Sequence, residues 1–135
     1  MCQAIFYPEA QCSRKVDFHQ PQAKLPVLLK AGGVIWLPWG RRQLQKGQLP
    51  LGGWARLESI MEGKWDEYFP KPVKIPAQGF VEVDFEGRAQ YFKLVKSQSV
   101  QGLLARVDQE LRVYIVTITP ERSDAAFARW PKIIS

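Results

Sequence analysis

Apolar positions along this chain fall into short runs, many of them alternating with polar residues, and Gly, Pro, Asp or Ser close nearly every run. That two-residue period with frequent breakers is the signature of strands. It predicts strands at residues 2–7, 26–30, 34–39, 73–75, 79–85, 89–95, 100–107 and 111–119, with hairpins turning at Glu86-Gly87 and at Asp108-Gln109-Glu110. A helical period is visible in two places only. Trp54, Leu57, Ile60 and Met61 recur at helical spacing after Gly52-Gly53, and Ser123 is placed to cap a turn through residues 124–127 before Pro131. The polar, basic stretch from Gln11 to Lys24 reads as a long surface loop. The expected class is α+β, mostly β: a curled or barrel-like antiparallel sheet with a few short helices.

Size and composition add bounds. At 135 residues the chain matches one domain, 1–135, and 46% hydrophobic residues suffice for a core without metal or disulfide staples. Runs such as Val34-Ile35-Trp36-Leu37 are far short of the ~20 apolar residues of a membrane span, and no cationic leader precedes an apolar segment, so neither a membrane nor a secreted protein is expected. Cys2 and Cys12 allow at most one bridge, and with His19 alone they fall short of a zinc ligand set. A monomer in the reducing cytoplasm, without metal or cofactor, is the expectation. Gly-rich phosphate loops and paired zinc-binding histidines are missing, and His19 lies in the polar stretch as an exposed, non-catalytic residue.

Charge is unevenly placed. The net charge is +6, and residues 14–46 hold seven basic residues against Asp17 alone. Cations among aromatics suit unpaired nucleic acid, since phosphates take the cations and bases take the rings. In Trp36-Leu37-Pro38-Trp39-Gly40-Arg41-Arg42 two readings stand side by side. Either Trp39 stacks on a base while Arg41 and Arg42 hold phosphates, or the tryptophan is core and the arginines are surface.

Two residues could carry chemistry. Removal of Met1 would give Cys2 a free α-amine and a thiol on adjacent carbons, a 1,2-aminothiol that condenses with an aldehyde to an imine and closes to a five-membered thiazolidine. The plainer alternative is that Cys2 starts a strand. Alternation puts Val81, Val83 and Phe85 on one strand face and Phe80, Glu82 and Asp84 on the other. That second face is a solvent face, or, if it lines a concavity, it makes Glu82 a general acid/base.

Six segments then occur in one order: Met1-Cys2-Gln3-Ala4, Trp54-Ala55-Arg56-Leu57-Glu58-Ser59, Pro76-Ala77-Gln78-Gly79-Phe80-Val81-Glu82-Val83, Gln90-Tyr91-Phe92, Thr117-Ile118-Thr119-Pro120 and Phe127-Ala128-Arg129-Trp130-Pro131. Together, from residue 2 to residue 131, they resemble the SOS-response-associated peptidase family, which shields abasic sites in single-stranded DNA. Its corresponding segments read Met-Cys-Gly-Arg, Asn-Ala-Arg-Ala-Glu-Thr, Pro-Ala-Asp-Gly-Phe-Tyr-Glu-Trp, Pro-Tyr-Phe, Thr-Thr-Pro and His-x-Arg-Met-Pro. The resemblance implies covalent capture of the ring-opened abasic sugar by Cys2 in the DNA damage response, with Glu82 as acid/base and Arg56 and Arg129 on phosphates or the lesion. This chain departs from the family at Trp54, where an Asn is usual, at Phe127, where a His is usual, and at Ala4, where an Arg is usual. It is also shorter, like a trimmed phage-type branch. Alternatives are a non-catalytic single-stranded-DNA-binding or phage accessory module, and a thiol peptidase or autopeptidase using the same cysteine.

Overall fold

A computed structural model of the chain describes residues 2–9, 12–120 and 126–135. Within them run β1 (Cys2–Glu9), β2 (Cys12–Asp17), β3 (Lys24–Leu28), β4 (Val34–Pro38), β5 (Trp54–Arg56), the short helix α1 (Leu57–Met61) and a 3-10 turn at Asp66–Tyr68. β6 (Lys71–Ile75), β7 (Gly79–Val83), β8 (Ala89–Lys93), β9 (Ser99–Val107), β10 (Glu110–Ile118), β11 (Trp130–Pro131) and β12 (Ile133–Ile134) follow. The fold is α+β and mostly β, with curled sheet and one short helix. All eight expected strands are present with ends moved by no more than two residues.

One sheet has the antiparallel order β2-β1-β7-β8. A larger one runs β11-β10-β9-β12, with β5 added parallel to β10 and β6 antiparallel to β9, and β3-β4 forms a separate ribbon. The expected hairpins are both formed, the second by Asp108 and Gln109 between the paired Val107 and Glu110. Asp108 takes the left-handed conformation, φ 51°, that so short a connection demands.

β10 explains the layering. Val113 and Ile115 face a core shared with Cys2, Ile5, Leu25, Trp39 and Phe80, while Tyr114 and Val116 face a second cluster with Leu49, Ala55, Trp65 and Leu103. A strand covered on both faces needs apolar residues at successive positions, which is how its sequence reads.

Two expectations are corrected. Residues 12–17 are not part of a loop: they form the edge strand β2, paired with β1 from Ala4↔Asp17 to Glu9↔Cys12. Only Val16 of this strand is buried, so its sequence carries a single apolar mark. Trp54 is not helical: β5 pairs with β10 through Ile115↔Trp54, and the helix starts at Leu57. The expected cap at Ser123 and its turn through residue 125 lie outside the described residues, as does Met1. Among the described residues no helix is long and apolar enough to cross a membrane.

Candidate functional site

Cys2 opens β1 directly opposite Glu82 of β7, although the two residues are 80 apart in the chain. A register shift separates this pair from the regular ladder that begins at Ala4↔Val81. Phe80, Glu82 and Asp84 are all buried, so the strand face left open by alternation turns inward. Cys2 and Glu82 both have 0% exposure. Burial raises the thiol of Cys2, and the nearby Glu82 raises it further; the thiol points to the Ala4 carbonyl at 3.6 Å. Burial likewise pushes the Glu82 carboxyl up to about 7.

Trp54 completes this corner. Its indole Nε1–H donates to the Cys2 carbonyl at 2.7 Å, and its ring meets Phe18 and Trp39 at 4.8 and 6.2 Å. Where the resemblance implies the amide of an Asn, this chain thus supplies an N–H donor of another kind. Nothing in the spacing of the sequence signals that bond. The preceding Gly53 allows it: a Cβ there would lie 2.6 Å from the Phe18 ring and 2.7 Å from Trp39 Nε1. Trp39 Nε1 donates to the Gly53 carbonyl at 2.9 Å.

No protein-family model, no curated protein and no solved structure matches this chain.

The remaining candidates separate into residues the fold uses and residues it leaves accessible. Trp39, considered as a stacking platform, is wholly buried in the core and has no face for a base. Arg41, considered as a phosphate contact, donates from Nε to the Leu49 carbonyl at 2.6 Å and from Nη1 to the Gln45 carbonyl at 3.0 Å. Arg42 donates from Nη1 to the Trp39 carbonyl and from Nε and Nη2 to the Phe18 carbonyl, its guanidinium lying 4.0 Å from the Phe18 ring centroid. Both side chains staple the segment after β4, because these backbone carbonyls need donors away from water.

Arg129 is likewise structural. It forms a two-pronged pair with Glu58 of α1 at 2.9 and 3.1 Å and donates to Thr117 and Thr119 of the β10 end. Arg56 differs, with a side chain 64% exposed and a loose 3.8 Å pairing to Glu58. Phe127 is buried against Phe92 and Trp130, at 5.6 and 5.2 Å. His19 is exposed and caps the Asp17 carboxylate through its backbone N–H and Nδ1. Among the described residues no cluster of His, Cys, Asp and Glu is arranged to hold a metal ion.

Glu82 makes stability depend on pH. Its carboxyl is raised in the folded chain, so unfolding releases its proton between the ordinary carboxylate range and about 7. Its contribution is intact below the unfolded value and is lost as pH rises through the folded one. Glu82→Gln cannot ionise and escapes that loss, so the variant should be more stable than the parent above pH 7, by about 3 kcal/mol at most, and melt like the parent near pH 4. Melting temperatures of both proteins across this range check the sign.

Proposed function

We propose that this chain binds single-stranded DNA and captures abasic sites covalently through Cys2, as a cytoplasmic protein of the DNA damage response similar to the SOS-response-associated peptidase family. The observation that carries the reading is the pairing of Cys2 with Glu82, a thiol-bearing strand end facing a carboxyl poised near neutral pH. A buried general acid with a value near the working pH is suited to moving protons during imine chemistry.

The reaction requires loss of Met1. The freed α-amine of Cys2 adds to the aldehyde of the ring-opened sugar, and the carbinolamine loses its hydroxyl as water, with Glu82 giving the proton. The Cys2 sulfur then adds to the iminium carbon and its proton goes to the Glu82 carboxylate, which restores the acid while the nitrogen keeps the hydrogen it already carries. One C–S and one C–N bond form, one water leaves, and no oxidant or reductant is involved. Both Cys2 and Glu82 are buried, so the start of β1 must open locally and expose the two together before the lesion can enter. That opening breaks the Trp54 hydrogen bond and the thiol contact to the Ala4 carbonyl and gives up the packing of Cys2 in the core.

Intact mass of the protein made in cells, followed by incubation with an abasic single-stranded oligonucleotide, tests this. The expected product survives denaturing electrophoresis and has the mass of protein without Met1 plus oligonucleotide minus one water; Cys2→Ala abolishes it. A mature chain that keeps Met1, or an undiminished adduct with Cys2→Ala, overturns the proposal. Salt-sensitive binding that never becomes covalent would leave a non-catalytic strand-binding module.

A further inference from the structure

We infer that the outer face of the β2-β1-β7-β8 sheet is a stacking platform for single-stranded nucleic acid, centred on Phe6 and Tyr91. That the strand is DNA rests on the function proposed above; the platform rests on its own geometry. The two rings are stacked, 5.2 Å between centroids and 2° from parallel. Tyr91 is 48% exposed. Gly79 lets this ring lie close over β7, since a Cβ at that position would sit 2.2–2.6 Å from Tyr91 ring and hydroxyl atoms.

Charge flanks the rings on both sides. Lys15, Phe6, Gly79 and Lys93 are register partners straight across four strands, which sets the two lysines ~14 Å apart at the backbone. Lys93 also lines an adjoining groove of about 740 Å³ with Lys74 and Lys96, and among the described residues no carboxylate lines it. In the next row Asp17 is engaged by His19. Cations on both sides of an exposed tyrosine ring, itself backed by the half-buried Phe6, match the alternation of phosphates and bases in an unpaired strand. A duplex hides its base faces and fits less well. This face also supplies what Trp39, Arg41 and Arg42 cannot, because their groups are used within the fold.

The test is fluorescence anisotropy of the full chain with a labelled oligothymidylate that carries no abasic site, with melting temperatures measured in parallel. Tyr91→Ala should weaken binding at least about fivefold, while Tyr91→Phe, which keeps the ring, stays within about twofold of the parent. Lys15→Ala with Lys93→Ala should flatten the log–log salt dependence by about 1.4, the single-strand value for two phosphates. Unchanged affinity in Tyr91→Ala, equal weakening in Tyr91→Phe, an unchanged salt slope, or equal affinity for duplex overturns the platform. If these shifts hold while abasic capture fails, the Cys2 chemistry falls and the platform stands; if capture proceeds and Tyr91→Ala binds like the parent, the reverse is true.

Discussion

Glu82→Gln should slow capture of abasic DNA by about 10²–10⁴-fold, the usual worth of a positioned acid/base. Glutamine keeps the shape of the side chain but neither gives nor takes a proton, so expulsion of water from the carbinolamine and transfer of the thiol proton both lose their agent. The pH profile sharpens the test. The α-amine of a processed Cys2 attacks only when unprotonated, with a reference value near 8, whereas Glu82 delivers a proton only below its own value of about 7. The parent's rate should peak between about 7 and 8 and fall on either side. Glu82→Gln should keep the acid limb, which belongs to the amine, and lose the alkaline one. Because the variant is expected to be more stable than the parent above pH 7, slower capture there has no explanation in unfolding. Single-turnover time courses from pH 5.5 to 9 give both results. A variant within about threefold of the parent throughout would remove Glu82 from the reaction.

The inward face of β7 illustrates how far the sequence reaches. Alternation assigned Phe80, Glu82 and Asp84 to a common face correctly, because the period belongs to the strand itself. Whether that face met water was decided by sheets contributed from elsewhere in the chain. The edge strand β2 is hard to read for a related reason: an edge exposes most of its side chains, so Cys12–Asp17 can be polar and still pair. The helical spacing of Trp54, Leu57, Ile60 and Met61 matches the helix from Leu57 onward, and only the parallel pairing with Ile115 pulls Trp54 into a strand. Basic residues were the least legible. Arg41 and Arg42 look like phosphate contacts in a list of charges, and the resemblance implies the same of Arg129, but the backbone carbonyls, hydroxyls and Glu58 that occupy them have no mark in sequence. The Phe6–Tyr91 pair was invisible for the opposite reason: two ordinary aromatics on separate strands become one surface only through register.

Restoring the Asn and His that the family resemblance implies, Trp54→Asn with Phe127→His, should lower the melting temperature by more than ~10 °C instead of quickening capture. Trp54 lies against Phe18 and Trp39 and holds the Cys2 carbonyl through Nε1. An Asn in its place vacates most of the ring volume beside a core tryptophan, and truncations of that size cost about 3–5 kcal/mol. Phe127 belongs to a group with Phe92 and Trp130, and Trp130 in turn meets Phe80 at 5.2 Å. An imidazole there places a polar ring among apolar ones, which costs free energy unless a partner receives its N–H. Trp54→Phe separates packing from hydrogen bonding, since it retains much of the ring and loses only the bond to Cys2, for which about 1 kcal/mol is expected. The same variant with Phe127→Leu should keep the fold and show what the aromatic corner contributes to capture. Scanning calorimetry ranks the four proteins, and capture rates measured well below each transition complete the comparison. A Trp54→Asn, Phe127→His protein that melts with the parent and captures faster would mean that these two positions are open catalytic positions and that the aromatic groups around them are dispensable to the core.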